Sequence, residues 1–199
     1  MLQDSGPGWK VLADIHREML LALYIRDLAA IESVGTPSLA PLSPKVKPAA
    51  ARELAAESAG ELRQEWQSWW ESILRQGVVS LEINQEPDFT RFSDSPSLQH
   101  LLRAHYGNAF IWTQNRMGEY KEHCRRNTAE RSALFSQLFF EHELAGAAAE
   151  DVQLNIVELP LAEPRAWFVE PNTVLISQEL VNDADLFRSY LQPIIGMIK

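Results

Sequence analysis

Val152-Gln-Leu-Asn-Ile-Val-Glu-Leu159 is the stretch that decides the fold class. Val152, Leu154 and Ile156 alternate with Gln153, Asn155 and Val157. A period of two marks a strand with one buried face. Two more short strands follow it. "AEPR" (162–165) is a turn, "AWFV" (166–169) a strand, "EPN" (170–172) a turn, and "TVLIS" (173–177) a strand. Consecutive strands joined by tight turns predict a three-stranded antiparallel meander. The chain then closes on an amphipathic helix with a kink or stop near Pro193.

Upstream of this stretch the period is helical. Leu12, Ile15, Met19 and Leu23, extended by Leu28 and Ile31, predict a first helix from about Trp9 to Ser33, closed by Gly35. Residues 35–48 carry Pro37, Pro41, Pro44 and Pro48 and read as a proline-rich linker. Prolines at this density favour an extended chain that would reach about 40 Å. That suffices for a surface crossover, or for carrying helix one onto a second subunit; the crossover is the simpler reading. A second helix is expected from Ala49 to Gln76. Leu54, Ser58, Leu62, Trp66, Trp69 and Ile73 form its stripe, widened by Trp70 and Leu74. Residues 78–83 alternate like a short strand.

Ser95 before Pro96 is an N-cap followed by proline at the first helical position. It opens a third helix to about Arg126, with a break expected at Gly107 and Asn108. Asn127 and Glu130 have the spacing of a capping box for a fourth helix, whose inner face holds Leu134, Phe135, Leu138, Phe139, His142 and Ala145. The whole reads as a single α+β domain. It is mainly helical, with four to five helices, the C-terminal meander and at most one further short strand at 78–83.

Composition narrows the function. The 199 residues carry a net charge of −9, and 46% are hydrophobic. A sizeable core is therefore expected. A negative chain lacks the basic face that releases phosphate counterions, so no nucleic-acid partner is expected. No membrane partner is expected either: the apolar run Met19 to Ile25 is seven residues, far short of the roughly 20 a bilayer needs. One cysteine, Cys124, excludes an intrachain disulfide and suits a cytoplasmic setting. No secretory leader is apparent in "MLQDSGPGWK".

Motifs that would announce chemistry are scarce. "HEL" at His142 to Leu144 lacks the second histidine of the HExxH zinc motif, and no CxxC pair exists. If helices three and four form an antiparallel hairpin at Asn127, His123 falls level with Arg131, and His142 with about Thr113. Their separation of about 10–16 Å at 1.5 Å per residue leaves no shared metal site. No metal and no cofactor are expected. GxSxG is absent. Cys124 has Lys121, Arg125 and Arg126 nearby, which would lower its pKa, but a buried inert thiol is the plainer reading.

The tryptophan cluster Glu65-Trp-Gln-Ser-Trp-Trp70 is the most unusual feature. Trp66 and Trp69 lie on the helical stripe and are expected in the core, whereas Trp70 is offset and expected to be exposed. Together with Leu20, Leu21 and Tyr24 of helix one, Trp66 and Trp70 would leave apolar surface for a partner. The expected function is therefore a non-catalytic interaction or assembly module, paired with a second copy as a homodimer or with another protein. The alternative is a small-molecule-binding protein or hydrolase-type enzyme with a pocket between the helices and the C-terminal sheet. His105, Tyr106, Trp112, Glu119, Tyr120 and His142 would line that pocket.

Overall fold

The computed structural model describes residues 2–4, 9–50, 59–76, 87–144, 152–169 and 172–197. The expected strand at 78–83 lies outside them. The fold is α+β and mainly helical: β1 (Leu2–Asp4), β2 (Trp9–Asp14), α1 (Arg17–Leu28), α2 (Ala59–Gln76), α3 (Pro96–Arg126), α4 (Thr128–Leu144), β3 (Val152–Leu159), β4 (Ala166–Val169), β5 (Thr173–Ser177) and α5 (Ala184–Ile195). The backbone packs as two compact units. One comprises residues 1–15 and 118–199, the other 16–117; the boundary falls within α3.

The first unit is built on a five-stranded sheet in the order β1-β2-β3-β5-β4. β2, β3 and β5 are parallel; β1 and β4 pair antiparallel at the two edges. The three C-terminal strands exist as expected, but they are not an antiparallel meander. β4 and β5 make a hairpin, and β5 lies between β3 and β4. The reason is in β5 itself: all five residues of Thr173–Ser177 are buried. A strand apolar on both faces is most stable inside a sheet, with neighbours on each side.

β2 is a second correction. Trp9–Asp14 is a strand, not the start of helix one, and it pairs with Val152–Val157 in register from end to end. Val11 and Ala13 face the core, the period-two signal that a helical reading of Leu12 and Ile15 obscures. One face of the sheet packs Val11, Ala13, Leu154, Ile156, Val174 and Ile176 against Phe135 and Leu138 of α4 and Phe187, Leu191, Ile194 and Ile195 of α5. Phe135 and Phe187 meet edge to face at 5.3 Å. α5 starts where Asp183 accepts from the Leu186 N–H at 3.0 Å and continues two residues past Pro193.

α3 and α4 do not form a hairpin. The i→i−4 ladder continues through the junction: Asn127 N–H bonds His123 O at 3.1 Å, and Arg131 N–H bonds Asn127 O at 3.0 Å. Thr128 Oγ1 donates back to Cys124 O at 2.8 Å, contact of a type that bends a helix without reversing it. Nor is α3 broken at Gly107 and Asn108, since Pro96–Arg126 is one helix.

In the second unit α1 begins at Arg17, where His16 Nδ1 accepts from the Met19 N–H at 3.2 Å. It ends at Leu28, and Ala30 and Ser33 take left-handed backbone angles just beyond. Residues 31–50 contain no helix; Leu39, Leu42 and Val46 are nonetheless buried. Buried Arg26 donates to Leu39 O and Ala40 O, both at 2.9 Å, and Asp27 accepts from the Leu42 N–H at 2.7 Å. The proline-rich segment is thus tied to the end of α1. The N-terminus of α3 takes a hydrogen-bond acceptor from α2: Glu65 Oε2 accepts from the Leu98 N–H at 2.7 Å. A carboxylate there also favours the positive end of the helix dipole.

Candidate functional site

Two buried polar clusters stand out, one in each unit. In the second unit the tryptophans of α2 pack on α1. Trp66 Nε1 donates to Ala22 O at 2.7 Å, and Trp69 Nε1 donates to Glu18 Oε1 at 3.0 Å. Glu18 and Ala22 are one turn apart on α1, and Trp69 and Trp66 nearly one turn apart on α2, in reversed order. The two helices therefore run antiparallel. Arg91 Nη1 reaches the same Glu18 oxygen at 3.0 Å. Trp66 and Trp70 stack with centroids 5.6 Å apart and planes 9° from parallel, and Trp69 meets Phe92 edge-on at 5.3 Å.

This arrangement places the residues expected at an interface. Leu20, Leu21, Trp66 and Trp70 are buried. Tyr24 is half-buried, its ring 5.3 Å from that of Trp112. The exposed indole expected at Trp70 is corrected: Trp70 is 0% exposed. Its ring fills the space over Gly35, where the backbone turns left-handed at φ +91 and a Cβ would lie 3.2 Å from Trp70 Cδ1. The bland outcome for the three indoles, core filling, is the observed one. The signal for Trp70 was its 100° offset from Trp69. That offset points it at the segment after α1, whose return across the helix is a tertiary event.

In the first unit Glu158 is 1% exposed. It sits near the end of β3, and two groups reach one of its oxygens. Tyr120 Oη donates to Oε1 at 3.1 Å, and Arg131 Nη2 donates to the same atom. The Arg131 guanidinium also lies 5.9 Å from the centre of the Tyr120 ring. Burial pushes the Tyr120 phenol far above its ordinary value, and the Glu158 charge pushes it further. Burial also raises the Cys124 thiol, more than Tyr120 and Arg131 lower it. Burial lowers Arg131, but the Glu158 charge and hydrogen bond more than offset it, so the guanidinium stays charged. The cluster holds a protonated phenol, a protonated thiol and a closed ion pair. Its chemistry is that of a latch joining α3, α4 and β3; a thiolate nucleophile is disfavoured.

The residues expected to line a ligand pocket are distributed along α3, except His142, whose side chain lies outside the described residues. Tyr106 packs against Phe89 at 5.0 Å and Phe110 at 5.9 Å. Trp112 sits beside Tyr24, with the Arg116 guanidinium 5.9 Å from its ring centre. His105 is half-buried and Glu119 exposed. Tyr106 and Tyr120 share a helix face but are separated by about 21 Å of helix rise, more than a small ligand spans. Glu158 and Arg131, the partners that give Tyr120 its setting, were missed by sequence reasoning. Glu158 occupies an inward position of an alternating strand, and a carboxylate at such a position was a legible signal.

No group of three or more metal-ligating side chains occurs among the described residues. No helix among them is long and apolar enough to cross a membrane. No family model, curated protein or solved structure matches the chain.

Proposed function

We propose that this protein is a non-catalytic assembly module, placed in the cytoplasm, that pairs reversibly with a second copy of itself through the outer face of α3. The observation that carries the reading is Ile111. It is 60% exposed, one of two large hydrophobic side chains exposed among the described residues. It lies mid-way along a stripe of exposed residues at helical spacing: Ala104, Gly107, Asn108, Ile111, Gln114 and Asn115. None of them is charged.

Two features favour a second copy as the partner. The chain carries a net charge of −9, so two copies repel over most approaches, and an uncharged stripe is where they meet at least cost. The stripe is also self-complementary. Gly107 presents bare backbone one turn from Ile111, and a Cβ there would meet nothing within 4 Å, so a neighbouring side chain can approach closely. In an antiparallel pair each Ile111 lies over the other copy's Gly107, as a two-fold interface requires. Three helical turns span about 16 Å, which makes a small contact of the weak, reversible class.

Sedimentation equilibrium over a wide concentration range tests this. The expected result is a monomer–dimer equilibrium that Ile111→Glu abolishes and Gly107→Leu weakens, with circular dichroism unchanged in both. A monomer at every concentration, or a dimer indifferent to Ile111→Glu, would overturn it.

A further inference from the structure

We draw no further inference here: the strongest candidate, the half-buried Cys124 thiol near the α3–α4 junction beside the Tyr120–Arg131–Glu158 cluster, is a single cysteine whose polar neighbours are already bonded to one another, and nothing in the structure points to a ligand or modifying group there.

Discussion

Trp69 of α2 donates its indole N–H to the Glu18 carboxylate of α1 at 3.0 Å, inside a hydrophobic core where Glu18 is 2% exposed. A buried carboxylate needs donors, and here two converge on one oxygen, an indole and the Arg91 guanidinium. The interaction fixes the register of α1 against α2 in a way that apolar packing alone does not.

Trp69→Phe keeps a large ring but removes one of the two donors. Hydrogen bonds to buried charged groups contribute enough that the expected loss is about 1–3 kcal/mol. Urea unfolding followed by circular dichroism measures it. A change within experimental scatter would mean that Arg91 alone satisfies Glu18.

The Arg131–Glu158 pair should show strong coupling. Removing either partner strands the other in a buried site, an expected cost of about 3–5 kcal/mol. Arg131→Met with Glu158→Leu removes both charges and should cost clearly less than the sum of the single changes. A double-mutant cycle on unfolding free energies reads the coupling, and additive single effects would contradict the latch.

Tyr120 predicts a stability loss in alkali. Its folded-state pKa is raised, by burial first and by Glu158 second, from an ordinary value of 10.0. The folded state therefore holds this proton more tightly than the unfolded chain. The contribution is fully present below pH about 10 and is lost as pH rises beyond it. The melting temperature should fall above that pH more steeply in the wild type than in Tyr120→Phe. Parallel profiles would place the alkaline loss elsewhere.

Gly35→Ala should be disruptive despite its small size. The backbone there is at φ +91, and the added Cβ would press on the Trp70 ring at 3.2 Å. Alanine in a left-handed position destabilises by more than about 1 kcal/mol. A lowered urea midpoint together with altered indole fluorescence is the expected readout.

The Cys124 thiol should react slowly. Burial raises its pKa from 9.0, so little thiolate forms near neutral pH. Modification by a disulfide reagent should proceed more slowly in the folded protein than in the urea-unfolded chain at the same pH. Equal rates would show the thiol to be unprotected.

The sequence by itself determined the local elements. Ser95 and Pro96 announced the start of α3, and the stripe of Leu62, Trp66, Trp69 and Ile73 announced the buried face of α2; all four of these side chains are buried. The strands at 152–159, 166–169 and 173–177 were legible because a period of two is local. Tertiary structure alone decided which strands became neighbours. β2 pairs with a strand 143 positions further along, Trp9 opposite Val152, and no local period records such a partner. It also decided that Trp70 is buried and which groups surround Glu158. Each depends on segments distant in sequence meeting in space, and burial belongs to that meeting, not to the residue.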